Sequence, residues 1–154
     1  MDVKKKVIIG ATALTLIGGI ALAGSQAMSR PDIRAYSAIA DVPVAQVIGM
    51  AAGEIPLPED PTMQPYCETY SALGASLDHD FGEELIQMQT VNAGGQAELW
   101  GSDVMGTWTI VYARPDDTAC VVASGTGYRS GIDSGAFLDA AGIERPSGNG
   151  AAAV

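Results

Sequence analysis

Beyond Lys6 the chain contains no lysine, and its 154 residues include a single histidine, His79, and only 6% aromatics. Past Ala23 five arginines face seventeen acids, a net charge of −12 against −10 for the whole chain. A surface so acidic repels phosphate backbones and anionic headgroups, which disfavours nucleic-acid and polybasic membrane binding. With one histidine and no Gly-x-Ser-x-Gly elbow, a Ser-His-Asp set would have only His79 to draw on. Ser124-Gly125-Thr126-Gly127 lacks the lysine and the length of a phosphate loop. There is no Cys-x-x-Cys pair, and neither of the two cysteines has a basic neighbour in sequence to lower its pKa.

What is present begins with an address. Met1 to Lys6 is a short cationic start, and Val7 to Ala23 carries no charge and is rich in glycine and alanine. This pattern reads as a secretory signal spanning 1–23, with the small residues Ala21 and Ala23 placed for cleavage before Gly24. No twin arginine precedes the run and no cysteine follows it, so export without lipidation into the periplasm or medium of a bacterium is the expectation. The alternative is an uncleaved anchor making a membrane-tethered envelope component, because this run lies at the lower limit for crossing about 30 Å of hydrocarbon.

Residues 24–65 read as a linker with weak helix. Ile33, Tyr36 and Ile39 follow helical spacing, as do Val44, Val47 and Ile48, while Glu54 to Met63 holds three prolines and three acids. Residues 66–128 differ, because clear periods appear. Cys67, Tyr70, Leu73, Gly74 and Leu77 recur at three to four residues and predict an amphipathic helix, punctuated by Gly82. The period then becomes two. Ile86, Met88 and Thr90 share one parity, Asn92 to Gly95 reads as a hairpin turn, and Ala97–Gly101, Thr107–Ala113 and Ala119–Ser124 follow as strands. Trp108, Ile110 and Tyr112 form the core-facing set. The fold class expected is α+β, with one amphipathic helix on a four-stranded antiparallel meander, an N-terminal signal helix and flexible ends. Residues 129–154 read as a mostly disordered tail, with one turn of helix near Gly135 to Ala141.

Two cysteines in an exported chain permit one intramolecular pairing, Cys67 with Cys120. The chain-entropy model values so long a loop at about 4 kcal/mol.

The densest polar cluster, Asp78, His79, Asp80, Glu83 and Glu84, offers the ligand types of a divalent cation, calcium through the oxygens or a transition metal through His79. Its spacing matches neither a calcium loop nor His-Glu-x-x-His, so a solvated turn is the default. Trp100 takes the parity opposite Leu99. If Leu99 points inward, Trp100 is a surface contact point for a peptide, sugar or protein.

Cys67, Phe81-Gly82-Glu83, Glu98-Leu99-Trp100, Gly106-Thr107-Trp108-Thr109-Ile110 and Cys120-Val121-Val122-Ala123-Ser124-Gly125 occur in that order. This succession resembles a family of small exported proteins of alphaproteobacteria, in which Tyr-Gly-Glu stands where this chain has Phe81-Gly82-Glu83. The resemblance implies export and a disulfide-tied domain, and it carries over no catalytic residue. Together these readings favour a small exported binding or accessory protein without catalytic activity or resident cofactor, whose partner is a protein or envelope component. A divalent-metal enzyme or cation sensor at the acidic cluster is the alternative.

Overall fold

The computed structural model describes residues 32–91 and 93–144. The segment 1–23, whose pattern predicts a secretory signal, and the chain from 145 onward lie outside the described residues.

The four expected strands are present and consecutive: β3 (Glu84–Thr90), β4 (Gln96–Ser102), β5 (Thr107–Ala113) and β6 (Thr118–Thr126). Each pairs antiparallel with the next. The sheet is wider than four, however. Two short strands, β1 (Arg34–Ser37) and β2 (Cys67–Thr69), lie end to end along the outer edge of β6, giving six strands in the order β1-β6-β5-β4-β3 with β2 also on β6. The helical spacing of Ile33, Tyr36 and Ile39 is therefore misleading. Tyr36 is exposed, and β1 stays extended because β6 offers its backbone groups partners from Arg34↔Thr126 to Ser37↔Ala123.

The same reason moves Cys67 out of the helix. Val121 N–H donates to Tyr66 O and Tyr70 N–H to Asp117 O, which makes Cys67 and Cys120 a directly opposed, non-hydrogen-bonded pair with Cα atoms 4.0 Å apart. Their sulfurs close the disulfide across β2 and β6. The helix, α2 (Tyr70–Phe81), starts only after Thr69, whose hydroxyl accepts the Ala72 N–H. It ends at Gly82, whose φ of 60° is the left-handed cap that a side chain disfavours.

Both faces of the sheet are covered. On one, Leu99, Trp108, Ile110, Tyr112, Cys120 and Val122 pack against α1 (Val44–Ala52) and α3 (Gly135–Ala140). Residues on both sides of position 64 thus share one core, and no domain boundary falls there. Nor is the segment from 129 a loose tail as far as Glu144, since Phe137 and Leu138 are sealed in the core and the Phe137 ring meets Trp108 edge-on at 5.6 Å. Glu54 to Met63 keeps the irregular backbone its prolines predict, with a single 3-10 turn at Pro61–Met63 capped by Asp60, although Ile55 packs on the core.

On the other face α2 lays Leu73 and Leu77 over Val111 and Ala119, with Tyr70, Trp100 and Val121 half-buried around them. A bulge between Ile110 and Val111 sets the two faces. Ile110 pairs with Ala123 but Val111 with Val121, so Val122 is the extra residue and both Val122 and Ala123 enter the first core. Beyond the bulge, Gly125 lies opposite Trp108. A Cβ there would overlap the Arg34 carbonyl oxygen and the indole ring, so only glycine lets β1 and Trp108 both close on β6.

Candidate functional site

The layer between α2 and the sheet holds the two best-buried acids among the described residues, Glu98 and Glu83, at 2% and 1% exposure. Strand β4 sends Ala97 and Leu99 into the first core, so Glu98 and Trp100 must point toward α2. Trp100 Nε1 donates to Glu98 Oε2 at 3.1 Å, and the Tyr70 hydroxyl, from the first turn of α2, faces the same carboxyl. Burial pushes the Glu98 carboxyl above its ordinary pKa, and these two groups only partly oppose the shift. No cationic side chain among the described residues comes within ion-pair distance of it.

Glu98 is not sealed from outside. It lines an open cleft of about 410 Å³ whose walls are Tyr70, the β3–β4 turn at Gly94–Gln96, and the end of β5 with the following turn, Ala113 to Pro115 and Asp117. Arg114 Nη2 sits 2.7 Å from Asp116 Oδ2, so the one guanidinium at the rim is already paired. Asp116 itself is held below the usual carboxylate range, first by the Thr118 hydroxyl and then by lesser contributions that include Arg114. The cleft therefore presents an excess of negative charge, with an acid held by a fixed donor and lacking a counter-ion.

Glu83 belongs to the same layer but not to the cleft. Its carboxyl faces the Thr109 and Thr107 hydroxyls, yet Oε2 and Thr107 Oγ1 have no partner of hydrogen-bonding geometry. Burial dominates and raises its pKa above the ordinary 4.5. A raised carboxyl binds more protons folded than unfolded, so its stabilising contribution is complete at low pH and is lost as pH rises through the folded value. Glu98 acts in the same sense. The melting temperature should consequently fall as pH rises above the ordinary glutamate range, and Glu83→Gln should flatten that fall and stabilise the protein at neutral pH by about 1–3 kcal/mol, the cost of a buried acceptor left unsatisfied. Melting curves of both proteins from the glutamate range to neutral pH check this, and equal slopes would contradict it.

The acidic cluster read from the sequence is dispersed by the fold. Asp78, His79 and Asp80 occupy the exposed last turn of α2, where His79 Nδ1 and Asp80 Oδ1 are 2.9 Å apart and Asp80 raises the histidine pKa. Glu83 turns inward after Gly82, whereas Glu84 is exposed on β3. Among the described residues no group of three or more His, Cys, Asp or Glu is placed to hold a metal ion. Trp100 is not a free surface platform either. Leu99 does point inward, but α2 covers the indole so closely that a Cβ on Gly74 would lie 3.2 Å from it. Its part is to hold Glu98. Glu98 stands in the sequence only as part of the Glu98-Leu99-Trp100 motif, from which no site role is read. Its signal is an acid between two inward-facing apolar residues, Ala97 and Leu99, sharing parity with a tryptophan.

Among the described residues no helix is long and apolar enough to cross a membrane. No protein-family model, no curated protein and no solved structure matches this chain.

Proposed function

We propose that the protein is a small exported binding protein whose ligand is a compact molecule carrying a primary ammonium group, taken up in the cleft over Glu98. The carrying observation is that Glu98, 2% exposed, lines an open cleft, its carboxyl bonded to Trp100 Nε1 and without a cation within ion-pair distance among the described residues. Desolvating a carboxylate without a counter-charge is unfavourable, and a ligand ammonium supplies that charge. The reading is one of binding rather than bond-breaking. Neither Glu83 nor His79 lines the cleft, and the other acid of its wall, Asp117, is exposed on the turn after β5 rather than buried beside Glu98. Export is supported by the cationic and apolar run at residues 4–23 and by the Cys67–Cys120 disulfide. The intact mass of the exported chain, with and without reductant, tests cleavage after Ala23 and the disulfide together.

Calorimetric titration with ethanolamine and with 1,4-diaminobutane tests the site. Both should bind with millimolar or tighter affinity, and Glu98→Gln, which keeps an acceptor for Trp100 and Tyr70, should weaken them by about tenfold or more while the protein stays folded. If neither amine binds below about 10 mM, or the variant binds equally well, the cleft is not an ammonium site.

A further inference from the structure

The free edge of the sheet is β3, whose outer side pairs with no strand among the described residues. Val91 N–H donates to Gly95 O, and Gln89 and Gln87 lie in register with Ala97 and Leu99. By antiparallel alternation, the backbone N–H and C=O of Met88 and Thr90 then point away from the sheet. Edges of this kind are usually guarded by lysine, proline or a covering segment. Here residues 85–91 contain no charge and no proline, and Phe81, Leu85, Ile86 and Met88 are 47%, 39%, 41% and 54% exposed. A bulge lies between Leu85 and Gln87, and beyond it Gln87 and Gln89 pair with the inward-facing Leu99 and Ala97, so that Met88, opposite Glu98, takes the other face.

The charge around this edge is mostly negative. Asp78 and Asp80 are exposed in the last turn of α2 and Glu84 at the start of β3, and the carboxyl end of α2 adds its negative dipole there. His79 is held in an ion pair with Asp80. A second copy of so acidic a chain would bring like charges together. We infer that the β3 edge takes up an extended, basic polypeptide segment, which adds a strand to the sheet, rests its apolar side chains on Leu85 and Met88, and sets a lysine or arginine against Asp78, Asp80 and Glu84. Main-chain hydrogen bonds supply the affinity in this mode of recognition, and the apolar contacts and acidic rim supply its selectivity.

The test uses the full chain and a blocked seven-residue peptide alternating valine and threonine, with arginine at each end, followed by fluorescence anisotropy. The peptide should bind, and the same peptide ending in glutamates should bind about tenfold more weakly or not at all. Met88→Pro removes an outward N–H without touching the β3–β4 ladder, and Met88→Lys guards the edge with a charge while keeping every backbone group. Each should weaken binding about tenfold, with the melting temperature reporting that the fold is kept. Should the arginine peptide fail to bind at about 1 mM, should the glutamate peptide bind as well, or should Met88→Lys bind like the parent, the inference is overturned. It is likewise overturned if the chain sediments as a dimer that Met88→Lys dissociates and that binds no peptide.

Discussion

Replacing Cys67 and Cys120 together by alanine should lower the stability of the protein by about 4 kcal/mol, which for a chain of this size shifts the melting temperature by about 10–20 °C. The sequence separation of 53 makes the closed loop long, and the chain-entropy contribution grows with the logarithm of its length. What the bridge fastens is specific. Strand β2 is three residues long and pairs with β6 alone, and α2 follows it directly. The disulfide therefore anchors the start of the helix that covers Glu83 and Glu98. Loss of the bridge should accordingly be felt in α2 before the first core, so hydrogen exchange of the reduced protein should rise earliest in residues 67–81. Uniform acceleration over the whole sheet would contradict this order.

Trp108→Ala should cost about 3–5 kcal/mol, the range for deleting a fully buried aromatic. Trp108 is 0% exposed, its Nε1 donates to Thr126 O at 3.0 Å, and its ring touches Phe137 and faces the bare Gly125. Truncation removes the contacts that α3 makes with the sheet, leaves the Thr126 carbonyl without this donor, and opens a void beside β1. Urea unfolding monitored through Trp100, the remaining tryptophan, measures the loss. A cost below about 1 kcal/mol would mean that the core collapses around the gap or that α3 contributes little.

These two residues also show what was legible before the structure. Trp108 was readable because Thr107 to Ala113 alternates without interruption, and the parity that puts Trp108, Ile110 and Tyr112 inward is the parity found. The β3–β6 meander and the end of α2 at Gly82 were readable for the same reason, as local period and turn chemistry agree there. Cys67 was readable as a partner for Cys120 but not as a strand residue, because its three-residue spacing to Tyr70 matches a helix by coincidence. Three- and four-residue strands such as β1 and β2 have too little sequence to declare themselves, and they exist because β6 is long enough to pair them end to end.

The prolines between Glu54 and Pro65 concealed that α1 and β1, upstream of them, belong to the same core. Phe137 and Leu138 were hidden by an alanine- and glycine-rich surrounding, although two large apolar residues side by side on a short helix are enough to dock it. The candidate site was the least legible part. Helix α2 brings Tyr70 over Glu98 from 28 positions away, and no local pattern announces a contact made by tertiary packing alone.

The central claim is that Glu98 is a desolvated carboxyl waiting for a cation. Carbon-detected NMR of its side-chain carboxyl through a pH titration, in the free protein and with saturating ethanolamine, tests this most directly. The account predicts that the free carboxyl titrates above the ordinary glutamate value and that the amine draws the midpoint down, since an adjacent positive charge favours the ionised form. A free carboxyl titrating at the ordinary value, or a midpoint unmoved by the amine, would contradict it.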